Sequence, residues 1–197
     1  MHAGVVGVLL AAGRATRFGS AKLLHALTDG RPVALASAQA LLKSMPSVVT
    51  IVAVVDANDA ALREILAREG VKLIVSPATN QGMATSLATA VTATPRATGW
   101  VVALADMPFI APQTIVAVAR AIEAGAAIAA PVHDGRRGHP VGFSAKFRNQ
   151  LLALKGDGGA RKLLSRHADE LVLLECDDAG ILRDIDRPED LMGPLLA

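Results

Sequence analysis

The chain contains no tyrosine, one tryptophan, four phenylalanines and a single cysteine among 197 residues. One cysteine excludes an internal disulfide, which fits a reducing cytoplasm. Cys176 lies in the apolar run LVLLECDD, so a buried structural thiol is expected rather than a nucleophile. There is no CxxC pair, and the five histidines show no zinc-ligand spacing. Long apolar runs are missing too: Asp, Glu, Lys or Arg recur before any stretch reaches membrane-span length, so no membrane association is expected. No basic segment precedes Val5, so no signal peptide is expected. The net charge of +2 is small and its cations are scattered, which argues against a nucleic-acid surface.

What is present is apolar and small. Hydrophobic residues make up 52% of the chain, much of it alanine and valine, as expected for a buried sheet covered by alanine-rich helices. The pattern alternates. Strands are predicted at 5–10, 48–55, 71–75, 99–105, 126–130 and 141–143, with late strands at 171–175 and 181–185. Helices are predicted at 32–43, 59–69, 83–91, 112–124, 146–154 and 160–167, with a closing helix at 188–196. Pro32 and Pro112 suit first helical turns, and Gly70 suits a stop. With no linker or repeat, this predicts one domain over 1–197, a three-layer α/β/α fold on a mostly parallel twisted sheet. Ligands of such sheets bind at the carboxyl ends of the strands, which brings the ends of strands 5–10, 71–75 and 99–105 to one edge.

The first strand runs into GRATRFGSAK, where Gly13, Arg14, Arg17, Gly19 and Lys22 fall within ten residues. Glycines permit close backbone approach, loop N–H groups can form an anion nest, and Arg17 and Lys22 add fixed charge suited to a polyphosphate. Neither GxxxxGK[ST] nor GxGxxG is present. On these residues alone, a plain strand-to-helix turn with two solvated cations is about as good a reading.

The stretch LAAGRATRFGSAK (10–22) resembles the LAAGxSxRxGxxK signature opening the MobA-like nucleotidyltransferases, particularly the molybdenum cofactor cytidylyltransferases. Ala15-Thr16 departs from that signature, Thr16 standing in for a hydroxyl residue usual slightly earlier. Further segments follow in family order: NQGMATSL resembles GMxxSL, VALADMPF resembles LxDMP, GRRGHPVGFS resembles RGHPVLF, GDGGAR resembles GDxGAR, and DIDRPEDL resembles DIDTPEDL with Arg187 for Thr. The resemblance implies a Rossmann-like, nucleotide-diphospho-sugar transferase-like fold.

It also implies roles. Leu10, Ala11, Ala12, Gly13, Arg17, Lys22, Ser76, Gly82 and Ser86 would bind the nucleotide; His139, Asp157 and Arg161 would bind the acceptor. Asp106, with Asp184 or Asp186, would hold Mg²⁺, and Arg17, Lys22 and Asp106 would carry catalysis. Plain structural readings compete at several positions. Asp106 could cap the helix near Pro112, Asp186 could cap the closing helix in a capping-box pattern with Glu189, and Asp157 could cap the helix near Ala160. Spacing alone leaves Asp184 and Asp186 undecided. The implied reaction moves CMP from CTP to the terminal phosphate of molybdopterin, with a client molybdoenzyme as a further partner. A methyl at Ala12 would crowd a purine, which favours cytidine. Alternatives are a GTP or sugar-1-phosphate nucleotidyltransferase, an NAD(P)H-dependent oxidoreductase on the same scaffold, and a non-catalytic cofactor-insertion chaperone.

Overall fold

The computed structural model describes residues 4–12, 22–44, 50–76, 82–156 and 158–191. Strand β1 (Val5–Ala11) is buried along its whole length. It pairs in parallel with β2 (Thr50–Asp56) on one side and β4 (Gly99–Leu104) on the other; β2 in turn carries β3 (Lys72–Ser76). Beyond β4 the sheet becomes mixed. Strand β7 (Val141–Ser144) inserts antiparallel between β4 and β5 (Ile128–His133), while β6 (Arg136–Arg137) folds back on β5. Strand β8 (Leu171–Glu175) runs parallel to β5. Four of the seven strand pairings are therefore parallel, and the order is β3-β2-β1-β4-β7-β5-β6 with β8 beside β5.

Alternation along β1 divides the core into two. Val5, Leu9 and Ala11 face helices α1 (Val33–Lys43), α2 (Ala60–Arg68) and α4 (Pro112–Glu123), meeting Leu41, Leu62, Leu66, Ile115 and Val118. Val6, Val8 and Leu10 face α3 (Gly82–Ala93), α5 (Arg148–Leu152) and α6 (Arg161–Arg166), through Leu87, Val91, Leu151, Leu163 and Leu164. A period of two on a sheet covered on both faces makes every β1 residue a core residue. This is the three-layer α/β/α arrangement that the alternating sequence predicts.

Local chemistry sets the boundaries. The Asp59 side chain accepts a hydrogen bond from Leu62 N and caps α2, and Gly70, at φ +78°, follows that helix. Pro112 opens α4. In the β5–β6 hairpin, Asp134 (φ +50°) and Gly135 (φ +69°) both take the left-handed conformation that a tight turn requires.

The strand expected at 181–185 fails, and the closing helix expected at 188–196 lies only partly within the described residues. Residues 181–185 are not a strand: a 3₁₀ turn, Ala179–Leu182, is followed by extended chain bonded to loops. Gly180 lies so close to the Phe109 carbonyl that a Cβ would come within 2.1 Å of its oxygen. Ile185 N donates to Asp106 O at 2.8 Å, and no strand ladder continues past it. The closing helix is, within the described residues, one 3₁₀ turn, Pro188–Leu191. Its cap is Asp190, which accepts from Asp186 N (3.0 Å) and Arg187 N (2.8 Å), the reverse of the predicted cap by Asp186.

Candidate active site

The sheet reverses its winding between β1 and β4, since β1 leads outward to β2 and β3 while β4 leads the other way. A crevice outside the carboxyl ends of those two strands is the expected ligand position. Asp106 sits there, two residues beyond β4, and its backbone is fixed from several directions. Ala105 N donates to Leu10 O (3.1 Å), the buried Ser37 hydroxyl of α1 donates to Ala105 O (2.9 Å), and Ile185 N donates to Asp106 O.

The Asp106 carboxylate meets a cation from the protein itself. Lys22 Nζ donates to Asp106 Oδ2 at 2.9 Å and to Asp186 Oδ1 at 3.2 Å. Three segments far apart in sequence thus converge on one ammonium. The Lys22 side chain is 12% exposed, against 26% for Asp106 and 48% for Asp186. Burial works to lower the Lys22 pKa, but the charge and hydrogen bond of Asp106, then those of Asp186, outweigh it and hold the pKa above its ordinary value. Lys22 is therefore a fixed cation throughout the neutral range.

Beside this triad lies a cavity of about 460 Å³. Its apolar wall includes Leu10, Met83, Leu87, Leu104 and Phe143, and its polar groups are Arg137, His139, Arg161 and Asp184. His139 is anchored by its backbone, whose N–H donates to Ile181 O at 3.0 Å. The preceding Gly138 packs so tightly that a Cβ would stand 2.3 Å from the same oxygen. His139 Nδ1 is sealed from water with no hydrogen-bond partner, while the residue as a whole reaches the cavity. Desolvation depresses the His139 pKa, against the opposing pull of the Val102 carbonyl and the Asp106 charge. The ring is neutral at pH 7 and adds no charge to the cavity.

The sequence-predicted residues thus separate into groups. Lys22 meets both Asp106 and Asp186; Leu10, His139, Arg161 and Asp184 line one cavity. Asp184 and Asp186 do not share a strand face, because there is no strand; Asp186 turns to Lys22 and Asp184 to the cavity. Ala11 ends β1, Ala12 follows it, and Gly82 opens α3. Ser76 closes β3 rather than opening a loop, and both Ser76 and Ser86 are buried outside the cavity wall. Gly13, Arg17 and Asp157 lie outside the described residues. Asp106 does not cap α4. That role falls to Asp178, which accepts from Ala111 N (3.0 Å) and Thr114 Oγ1 (2.6 Å). Cys176 is half-buried and its thiol pKa is pushed up, chiefly by burial, consistent with a structural role.

Sequence reasoning missed Arg137, Ser37 and Asp178. Arg137 carries a signal, since it lies within RRGHP, but Ser37 and Asp178 are ordinary polar residues whose partners are remote in the chain.

Two carboxylates drawn onto one ammonium are a hard-oxygen site already shaped for a cation, with Lys22 Nζ as the stand-in ion. Among the described residues no group of three or more His, Cys, Asp or Glu side chains converges. The donor set fits an ion of the Mg²⁺ type, which takes one or two carboxylates and completes its shell with water and substrate phosphate oxygens.

The MobA-like NTP transferase domain matches residues 7–171. The structure of Rv0371c from Mycobacterium tuberculosis H37Rv is 30% identical, covers 96% of each chain and superposes with a TM-score of 0.84. A second structure of Rv0371c, in complex with manganese, is 27% identical over 95% of each chain, with a TM-score of 0.75. A nucleotidyl transferase from Methanothermobacter shares the fold at 23% identity, covering 95% of this chain and 94% of its own, with a TM-score of 0.81. So does the molybdopterin-guanine dinucleotide biosynthesis protein A of Archaeoglobus fulgidus, at 19% identity over 94% of each chain and a TM-score of 0.65. No curated protein matches the sequence. No helix among the described residues is long and apolar enough to cross a membrane. With one family model spanning most of its length and a 30% identical relative covering 96% of each chain, this chain belongs to the MobA-like NTP transferase domain family and is a nucleotidyltransferase.

Proposed function

We propose that the chain transfers CMP from CTP to the terminal phosphate of molybdopterin, releasing pyrophosphate. The observation carrying this reading is the Lys22–Asp106–Asp186 triad beside a largely apolar cavity flanked by Arg137 and Arg161. A phosphomonoester has its second pKa near about 6, so the acceptor arrives ionised and needs no general base. The neutral His139 agrees with that. One acceptor phosphate oxygen forms a bond to the α-phosphorus as the α–β bridging bond breaks, and the electron pair leaves with pyrophosphate.

The protein's task is then to gather and offset negative charge. Lys22, with Arg17 and the opening-loop amides including that of Gly13, would hold the triphosphate. Arg161 and Arg137 would hold the acceptor's phosphate, with Asp157 nearby in sequence. The apolar wall of Leu10, Met83, Leu87 and Phe143 would suit a flat ring system, which on binding would displace water from beside the reacting oxygens. Asp106 and Asp186, rather than Asp184, would hold a divalent ion such as Mg²⁺, which when bound supplies Lewis-acid charge stabilisation to the phosphates. The manganese complex of Rv0371c is consistent with such an ion. Cytidine would be favoured over guanosine because the Ala12 methyl, one residue past β1, would narrow the approach for a purine. Gly82 at the start of α3 would frame the nucleoside side, with the buried Ser76 and Ser86 supporting that segment from behind.

A thermal-shift panel of CTP, GTP, ATP, UTP and NADH, each with and without Mg²⁺, tests this directly, because a bound ligand raises the melting temperature by mass action. The largest shift is expected with CTP plus Mg²⁺. A shift with NADH alone, indifferent to Mg²⁺, would replace this reading with the oxidoreductase one.

A further inference from the structure

Lys22 makes contacts that a purely phosphate-binding lysine would not need. Its ammonium lies within hydrogen-bond distance of one oxygen from each of two carboxylates, 84 and 164 residues away in sequence, with little of its side chain exposed. Two anions that converge without a cation repel one another and lose hydration, so the folded chain without ligand requires a positive group at this position. Lys22 is that group.

The same position is where a divalent ion would find its two carboxylates. Ammonium and ion cannot share it. An ion entering beside Lys22 would meet a fixed like charge a few ångströms away and would find one oxygen of each carboxylate already engaged. Lysine suits such an exchange, being a compact charge on a flexible four-carbon stem rather than a rigid fork. Lys22 also begins the 3₁₀ turn Lys22–Leu24 and follows the segment that carries Arg17, so its ammonium can move toward an arriving triphosphate without unfolding a helix.

We propose that Lys22 is a built-in counter-ion that blocks the divalent site until a nucleoside triphosphate draws its ammonium away from Asp106 and Asp186. Resting on the nucleotidyltransferase reading above, this makes nucleotide and metal bind as a coupled pair: each is weak alone and each strengthens the other by the same factor. The arrangement withholds a competent metal site from a protein without its nucleotide.

The test is Mn²⁺ binding, followed by electron paramagnetic resonance of the free ion, on the full chain with and without a non-hydrolysable CTP analogue. Wild type is expected to bind Mn²⁺ weakly alone and at least about tenfold more tightly with the analogue, a floor well below the roughly thousandfold that a unit charge about 4 Å away produces at an effective dielectric near 20. Lys22→Met should bind Mn²⁺ alone at least about tenfold more tightly than wild type and gain little from the analogue, whereas Lys22→Arg, which keeps the charge, should stay close to wild type. Lys22→Gln replaces Lys22→Met if the latter does not melt cooperatively. A neutral variant with metal affinity equal to or weaker than wild type, in a protein that still binds metal with the CTP analogue, overturns the counter-ion role alone. Wild type that binds no Mn²⁺ with or without any nucleotide overturns this inference and the nucleotidyltransferase reading together.

Discussion

Asp178 joins the 3₁₀ turn Ala179–Leu182 to the start of α4, and Asp178→Ala should show how much of the site depends on that strap. One carboxylate oxygen accepts from Ala111 N and from the buried Thr114 hydroxyl, and the other accepts from Gly180 N at 3.0 Å. The first α4 residues have no side-chain cap from Ala111, so Asp178 caps this twelve-residue helix from a distance. Three partly buried bonds at about 1 kcal/mol each, with Thr114 left unsatisfied, give a loss of about 3 kcal/mol. The negative charge at the helix N-terminus adds about 0.3–1 kcal/mol. For the combined loss of about 3–4 kcal/mol, at about 2–4 °C per kcal/mol for a chain of this size, the melting temperature should fall by about 6–16 °C in a circular-dichroism melt. Asp178→Asn, which keeps one acceptor oxygen, should fall by roughly half as much. Because the same turn leads to Ile185 on the Asp106 carbonyl and to Asp186 on Lys22, turnover should drop further than stability alone explains. A melting temperature within about 2 °C of wild type in Asp178→Ala would refute the strap and the positioning argument built on it.

Other positions give sharper single outcomes. Asp106→Ala should lower turnover by about a thousandfold or more while the protein still melts cooperatively; near-normal activity would remove Asp106 from the chemistry. Gly180→Ala forces a methyl to within 2.1 Å of the Phe109 oxygen, so about 2–3 kcal/mol of stability should be lost, and an unchanged melting temperature would show that the wall yields easily. His139 has a folded-state pKa below its ordinary 6.5, so the unfolded chain takes up the proton first. Its contribution is therefore intact above pH 6.5 and declines as pH falls below it, and His139→Gln should flatten the melting-temperature slope between about pH 7 and 5. Equal slopes would place the titration elsewhere. Ala12→Gly should raise the thermal shift with GTP relative to CTP, and unchanged selectivity would remove Ala12 from base choice.

The layered fold was legible because its signals are local. Asp59, Gly70 and Pro112 mark helix ends through their own backbone chemistry, and the uninterrupted apolar run of β1 follows from burial on both faces. The antiparallel insertion of β7 between β4 and β5 was not legible, since pairing of Val102 with Val141 is a long-range choice with no mark in either segment. Residues 181–185 misled for a related reason: Ile181 and Ile185 alternate like a strand, yet both are buried because Gly180 and Asp106 draw the chain onto a loop. Within the site, Lys22 and Asp106 announced themselves through motif chemistry, whereas their contact with each other and with Asp186 is tertiary. Asp178 and Ser37 gave no signal, because a support residue is defined by its distant partner.

The most direct test of the central claim is to incubate the protein with α-³²P-labelled CTP, Mg²⁺ and molybdopterin and to follow label and pyrophosphate together. Transfer of label to the molybdopterin, with one pyrophosphate released for each and none without Mg²⁺, is the expected result. Absence of both products with CTP and with each of the other nucleoside triphosphates, in a protein shown to bind molybdopterin, would contradict nucleotidyl transfer and favour a role in carrying the cofactor.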